Sequence, residues 1–280
     1  MQKERISILG CGWLGLPLAK QLIAEGYRVK GSTTRAEKLG ILEAAGIEPY
    51  RVVVGETVEG DLKGLLESDI LVVDIPPGRR EDIEEFHVMQ VSQLIDALLE
   101  SPVKQVLFIS STSVYPDLGR EVSEQEALDP DLAGKPAGRV LLFVEEMFRS
   151  EGAFRTTVVR FGGLIGPGRN PSDFLQRMKV VADPGQPVNL IHLDDCIGVI
   201  SSIIRQGAWG EVFNACCPEH PTRGAFYEAA AERLGLGAPP LAATDPEPRP
   251  FKIVSSRKIA DTLGYRFQHP DPLAFAYSPG

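Results

Sequence analysis

The sequence predicts an α/β fold, a doubly wound parallel sheet with a small lobe built from the C-terminal residues. Three observations lead there. Through the first half, short apolar runs alternate with helix-period patterns, the order of parallel βαβ units. A glycine-rich turn joins the first apolar run directly to the first helix pattern. Beyond Phe161 the alternation gives way to short elements between Gly/Pro turns, which suits a lobe better than more sheet. With 280 residues, 43% of them hydrophobic, the chain can fill one large core, or a core and a lobe. Residues 1–161 are expected to form the core and 162–280 mostly the lobe, with some segments returning to the core.

The first strand is Arg5 to Leu9. It runs into Gly10-Cys11-Gly12-Trp13-Leu14-Gly15, a GxGxxG turn that opens a helix near Trp13. Gly10 permits the tight turn, Gly12 lets the backbone approach a pyrophosphate, and Gly15 lets the helix pack closely on the strand. The phosphates would lie at the helix N-terminus, where free N–H groups and the macrodipole favour anions. The six residues Gly10, Cys11, Gly12, Trp13, Leu14 and Gly15 are therefore read as a Rossmann-type dinucleotide site. Within it Cys11 is taken as a small residue that fits the loop, ahead of the alternative of a thiol activated by the helix terminus.

A second strand, Tyr27 to Gly31, leads to Ser32-Thr33-Thr34-Arg35 and a helix near Arg35. An NAD-preferring site places an acidic residue here for the ribose 2′-OH. Hydroxyls followed by an arginine suit a 2′-phosphate instead, which favours NADP(H) over NAD(H) with Thr34 and Arg35 around that group. In the competing reading Arg35 only opens the next helix. Strands follow at Tyr50 to Val54 and Ile70 to Val73, the latter ending in Asp74-Ile75-Pro76-Pro77-Gly78. Ligands of doubly wound sheets bind at the carboxyl ends of the strands, so Pro76 and Pro77 are expected as a stiff wall along the cofactor, or as a rigid turn in the same place.

The helix Arg80 to Leu99 sets Val91, Leu94, Ile95 and Leu98 on one face and adds Ile83, Phe86, Val88 and Met89 around it. The helix starting near Gly138 is apolar nearly all round through Val140-Leu141-Leu142-Phe143-Val144, Met147 and Phe148. Covering a sheet needs only a stripe, so the excess predicts a homodimer formed by these two helices of each subunit. Between them, the strand Val103 to Ser110 ends in Ser110-Ser111-Thr112-Ser113-Val114-Tyr115-Pro116. Hydroxyls there can hold a carbonyl or hydroxyl substrate beside a nicotinamide ring, or can simply cap a turn. The strand Thr156 to Phe161 closes the core. In the lobe the turns Gly166 to Pro171 and Asp183-Pro184-Gly185 precede a helix from Asp194 to Ile204, a strand from Glu211 to Ala215 and a helix from Thr222 to Leu234; Ala238 to Pro250, with five prolines, reads as a loop. His192 is taken as structural, preceding Asp194 as the helix N-cap.

These segments together resemble the extended short-chain dehydrogenases/reductases of the NAD-dependent epimerase/dehydratase type, nearly end to end. The resemblance is carried by the glycine turn, the Ser-Ser-x-x-Val-Tyr segment at Ser110, the run Arg160-Phe161-Gly162-Gly163-Leu164-Ile165-Gly166-Pro167-Gly168, Ile191-His192-Leu193-Asp194-Asp195, and Ser256-Arg257-Lys258 with Leu263-Gly264-Tyr265. It implies a substrate lobe at the C-terminus, Ser111 as the active-site hydroxyl, and cofactor contacts that include Ser110 and Phe161. Two departures stand out. Leu9 occupies the first glycine of the family's GxxGxxG. The family's catalytic Tyr-x-x-x-Lys is missing, with Ala137 or Gly138 in place of Tyr and Leu141 or Leu142 in place of Lys. None of these can move a proton, so the chain resembles the atypical members. Tyr115 is the remaining candidate acid, with Ser111 orienting the substrate and Lys135 or Arg139 supplying a nearby cation; Arg160 and Arg169 are the candidates for a substrate diphosphate.

Bulk properties exclude several classes. A net charge of −9 without any basic block argues against nucleic acid and anionic membrane as partners. The four cysteines show no metal spacing, so no metal is expected, and they read as free thiols of a reducing compartment. No signal peptide precedes the first strand and no apolar run reaches membrane-spanning length, which predicts a cytoplasmic protein. Two functions compete: an NADP(H)-dependent oxidoreductase or isomerase of a small molecule with a nonstandard acid/base, and a dinucleotide-binding redox sensor without turnover. The retained Ser111, Tyr115 and Gly166-Pro167-Gly168 favour the enzyme; the lost Tyr/Lys pair favours the sensor.

Overall fold

A computed structural model of the protein describes residues 3–78, 80–126, 129–133, 136–243 and 249–277. The chain divides into two compact units, the first comprising residues 1–114, 128–160 and 200–213, the second 115–127, 161–199 and 214–280. The border falls one residue before Phe161. The segment 115–127 joins the second unit, which the alternation pattern did not signal, because its one strand pairs with a strand near the C-terminus.

The main sheet is built on strands β1 (Arg5–Leu9), β2 (Arg28–Thr33), β3 (Glu48–Val54), β4 (Val58–Gly60), β5 (Ile70–Val73), β6 (Gln105–Ser111), β8 (Arg155–Phe161) and β11 (Val212–Ala215), in the spatial order β11-β8-β6-β5-β1-β2-β3-β4; β7 (Arg120–Val122) lies apart. The pairs β1–β2, β1–β5, β2–β3 and β5–β6 are parallel. The short edge strand β4 runs antiparallel to β3. Its hairpin demands glycine at Gly60, where φ is +89° and a Cβ would lie 1.9 Å from the Arg51 carbonyl oxygen. All four residues of β5 are buried, as befits a strand covered on both faces.

Helices α1 (Gly15–Ala24), α2 (Leu39–Ala44), α3 (Leu62–Leu65), α4 (Ile83–Leu99) and α5 (Pro136–Ser150) supply the cover. The helix expected near Arg35 forms as a 3₁₀ turn at Ala36–Lys38 before α2. The α4 helix starts three residues later than expected: Arg80 pairs with Asp82 at 2.8 Å and lies over the Phe86 ring, closing the entry turn outside the helix. Much of the apolar excess on α4 and α5 is consumed within the chain. Val91, Leu94 and Leu98 of α4 and Val140, Leu141, Val144 and Phe148 of α5 are buried; Leu142 is half-buried, whereas Phe143 is 55% exposed.

The second unit holds two small parallel sheets, β9 (Gly163–Ile165) with β10 (Leu190–His192), and β7 with β12 (Lys252–Val254). Around them lie α6 (Ser172–Arg177), the start of α7 (Leu193–Gln206), α8 (Arg223–Arg233) and α9 (Arg257–Leu263). Two motifs far apart in sequence meet here. A Cβ on Gly198 would lie 2.2 Å from the Tyr265 hydroxyl, so the absence of a side chain at Gly198 lets Tyr265 reach Asp195, to which it donates at 2.8 Å. Among the described residues, no helix is long and apolar enough to cross a membrane.

Candidate functional site

In the strand order, β2 and β3 extend on one side of β1, and β5, β6 and β8 on the other. The switch point of the winding therefore lies between β1 and β5, the place where open α/β sheets bind ligands beyond their carboxyl ends. The glycine turn leaves β1 at that place. It is tied down on both sides: Cys11 N–H donates to the Ser32 carbonyl at 2.7 Å, Gly10 N–H to the Ser32 hydroxyl at 3.0 Å, and Asp74 N–H to the Leu9 carbonyl at 2.9 Å.

The three glycines of the turn have different reasons to be glycine. Gly10 has φ of +109°, and a Cβ there would lie 2.3 Å from the Asp74 carbonyl oxygen. A Cβ on Gly15 would lie 2.2 Å from the Gly10 carbonyl oxygen. Both are imposed by the protein's own backbone. Gly12 is not: a Cβ there meets nothing within 4 Å, and Gly12 is exposed. Its bare backbone is open to solvent just ahead of the N-terminus of α1.

Cys11 is buried behind the turn, and burial together with the Asp74 carboxylate pushes its thiol up to about 12. That corrects the alternative of a thiol activated by the helix terminus: desolvation outweighs the dipole here. A Cβ on Gly31 would lie 2.5 Å from the Cys11 sulfur, so a glycine on β2 makes room for it. Trp13 is half-buried and Leu14 buried. Thr34 and Arg35 are exposed at the end of β2; the Arg35 guanidinium has no ion-pair partner among the described residues. Pro76 and Pro77 follow β5, exposed and half-buried.

At the end of β6 the hydroxyls diverge. Ser110 is buried and donates to Glu145 Oε1 at 2.5 Å. Glu145 in turn is gripped by Arg160, whose Nη2 lies 2.5 Å from Oε2, both side chains being about 5% exposed or less. Arg160 is thus committed to a buried ion pair and is no ligand for a substrate diphosphate, a correction to the expectation. A buried pair survives only with such complementary partners. The signal was present in the sequence, as an acid directly after the apolar run Val140–Val144 of α5 and an arginine set between Val159 and Phe161 of β8. Ser111 is half-buried, and its oxygen accepts from Ser113 N–H at 3.1 Å, which leaves its proton available to a ligand. Phe161 closes β8 in the second unit and is 2% exposed.

Of the two positions read in place of the family's Tyr, Ala137 is half-buried and Gly138 is closed to any side chain. A Cβ at this position would lie 2.4 Å from the Ser113 carbonyl oxygen, so α5 packs directly on the turn after β6. Of the two read in place of its Lys, Leu141 is buried and Leu142 half-buried. Tyr115 is 1% exposed, and its hydroxyl donates to Asn214 Oδ1 at 2.8 Å within the second unit. Its carbonyl accepts from Lys252 at 2.7 Å. To act as an acid, Tyr115 must exchange Asn214 for a ligand. Arg139 is held by Glu84 of α4 at 2.8 Å, and Lys135 lies outside the described residues. Arg169 is exposed in a tight turn closed by the Gly166–Arg169 backbone pair. The α7 helix begins at Leu193, so Asp194 lies in its first turn and not at the cap. His192 serves instead, its Nδ1 accepting from Asp194 N–H at 3.3 Å.

The family model described as "NAD dependent epimerase/dehydratase family" matches residues 6–216. "Protein YeeZ" of Escherichia coli (strain K12) is 34% identical over 273 residues, spanning 96% of this chain and 98% of that protein. Among solved structures, a functionally unknown conserved protein from Silicibacter pomeroyi superposes with a TM-score of 0.74 at 24% identity, covering 97% of this chain and 96% of that one. A UDP-glucuronic acid 4-epimerase from Bacillus cereus, solved in complex with NAD, superposes with a TM-score of 0.78 at 20% identity, covering 96% and 94%.

Proposed function

The chain belongs to the NAD dependent epimerase/dehydratase family, and from that premise we propose that it is an enzyme which binds a nicotinamide dinucleotide across Gly10–Gly15 and carries out oxidoreduction or isomerisation of a small molecule. One observation carries the cofactor assignment: Gly12 is a glycine that the protein's own packing does not require. The pyrophosphate is the group that requires it, held by backbone N–H groups at the start of α1. The epimerase neighbour bound to NAD supports the same reading. We further propose NADP(H) as the preferred form, because the unpaired Arg35 and the Thr34 hydroxyl stand at the end of β2, where the 2′ position of the adenosine ribose falls in this fold. Pro76 and Pro77 would wall the cofactor, with Ser110 holding the end of β6 through Glu145.

When bound, the nicotinamide supplies hydride transfer. The residues of this chain orient the substrate and handle the accompanying proton. Ser111, with its proton free to donate, is the orienting hydroxyl. Tyr115 is the acid if its hydroxyl leaves Asn214; its burial supports the rival role of holding the segment before β7 in place. The deciding experiment is a calorimetric titration with NADPH and NADH, followed by a turnover screen over carbonyl compounds and nucleotide-sugars. Tight binding with no turnover across the panel would favour the redox sensor.

The enzyme is further proposed to work in a reducing cytoplasm as a homodimer. Four free, buried thiols support the compartment. Phe143, exposed on α5, supports the dimer: it lines a cavity of about 620 Å³ with Val88 and Val140, rimmed by Glu84, Glu85 and Arg139. Phe143→Glu should convert the dimer to a folded monomer in sedimentation; a wild-type monomer at micromolar concentration would remove this proposal.

A further inference from the structure

In the second unit three donor side chains converge on one point. His192 ends β10, Asp194 lies in the first turn of α7, and His269 follows α9. Asp194 Oδ2 lies 3.2 Å from His192 Nδ1 and 2.9 Å from His269 Nε2. The three donor atoms all lie within 4.8 Å of one another. The two imidazole rings lie with centroids 3.9 Å apart at an interplanar angle of 42°. Two donors on one tetrahedral Zn²⁺, each about 2.0–2.1 Å from the ion, stand roughly 3.3 Å apart. The two spacings to Asp194 Oδ2, 3.2 and 2.9 Å, are near that value, and an ion on His192 Nδ1 would replace the long bond this atom accepts from Asp194 N–H at 3.3 Å.

We propose that His192, Asp194 and His269 form a binding site for a divalent transition-metal ion of the Zn²⁺ class, with a fourth position open to water. Imidazole and carboxylate donors select this class over Mg²⁺ or Ca²⁺, which prefer all-oxygen sets. The His192 side chain is 8% exposed, whereas those of His269 and Asp194 are 31% and 49% exposed, so an ion can enter from solvent.

The scaffold around the ligands is built in advance. Asp195, fully buried, accepts from the backbone N–H of Gln268 at 2.7 Å and of His269 at 3.0 Å, besides the Tyr265 hydroxyl. The Cys217 thiol donates to the His269 carbonyl at 3.1 Å. Phe275 packs against both imidazoles, with ring centroids 5.5 and 6.2 Å away. His269 is thus positioned before any ion arrives, which lowers the ordering cost of binding. The positive end of the α7 dipole opposes a cation; the carboxylates of Asp194 and Asp195 offset it. A bound ion would tie the β10–α7 junction to the C-terminal segment.

The rival account is a metal-free chain in which both imidazoles merely share Asp194. Chelator-treated full-length protein, titrated with ZnCl₂ by calorimetry and with CoCl₂ by visible absorption, separates the two. The expected result is one ion per chain, a raised melting temperature with Zn²⁺, and visible Co²⁺ bands of a low-coordinate site. Both His269→Ala and Asp194→Asn should weaken binding by at least about tenfold and lose the Co²⁺ bands. His220→Ala, which removes a histidine bonded to the Val188 carbonyl, should leave both unchanged. If a ligand variant fails to fold, His269→Gln keeps the side-chain bulk and serves instead. Absence of binding by the wild type, or undiminished binding by His269→Ala and Asp194→Asn, overturns the proposal.

Discussion

Substituting the three glycines of the nucleotide turn should separate folding from binding. For Gly12→Ala the added Cβ meets no protein atom within 4 Å. The variant should fold at wild-type stability or gain about 0.4–1 kcal/mol, because alanine narrows the unfolded ensemble. Gly15→Ala adds the same atom 2.2 Å from the Gly10 carbonyl oxygen, and Gly10→Ala adds it 2.3 Å from the Asp74 carbonyl oxygen at φ of +109°. Neither contact is with a flexible side chain, so strand and helix must separate, at a cost of about 1–3 kcal/mol or more. Binding should show the reverse pattern for Gly12. A lost charge-assisted hydrogen bond is worth roughly 1.5–3 kcal/mol, or about one to two powers of ten in Kd. Gly12→Val, whose branches would stand where the pyrophosphate is proposed to lie, displaces more than one such bond, so NADPH affinity should fall by at least about a hundredfold. Urea unfolding supplies the stability and calorimetry the affinity. If Gly12→Val binds NADPH as well as the wild type does, the pyrophosphate does not lie on this turn. If Gly12→Ala is as destabilising as Gly15→Ala, Gly12 serves packing after all.

Arg35→Ala should weaken NADPH by about one to two powers of ten and leave NADH nearly unchanged, since one charge-assisted contact to a phosphate is lost; equal loss for both would make Arg35 structural. Tyr115→Phe leaves Asn214 Oδ1 buried without the hydroxyl and should cost about 1–3 kcal/mol in unfolding free energy. With a substrate in hand, kcat decides the rest: abolished turnover at normal cofactor affinity makes Tyr115 the acid, and a wild-type rate makes it only a brace. The folded protein should also weaken under alkaline conditions. Cys11 is raised from 9.0 to about 12, so between those values the folded state keeps a proton that the unfolded state has released. The stabilising contribution is full below pH 9 and is lost as pH rises toward 12. Urea midpoints measured at about pH 8 and about pH 10.5 should differ less in Cys11→Ala than in the wild type; identical differences would refute the buried-thiol account.

Local order along the chain is what the sequence determined. The strand β5 is an unbroken apolar run, β1 is mostly apolar, and the glycine turn needs its residues contiguous; these are short-range facts, so Arg5–Gly15 and Ile70–Val73 could be read directly. The close approach of the Ser113 carbonyl to Gly138, by contrast, joins residues far apart in the chain and was not legible. Tertiary structure decided everything that depends on partners distant in sequence. Arg160 looked available for a diphosphate until β8 and α5 brought it against Glu145, where the low dielectric rewards pairing and forbids a lone charge. The motif order suggests separate roles for Gly10, Gly12 and Gly15; packing adds that a Cβ is blocked by backbone at Gly10 and Gly15 and meets nothing at Gly12. His192, Asp194 and His269 could not be grouped in advance, because 73 residues separate Asp195 from the Gln268 amide that it holds, and no periodicity spans that distance.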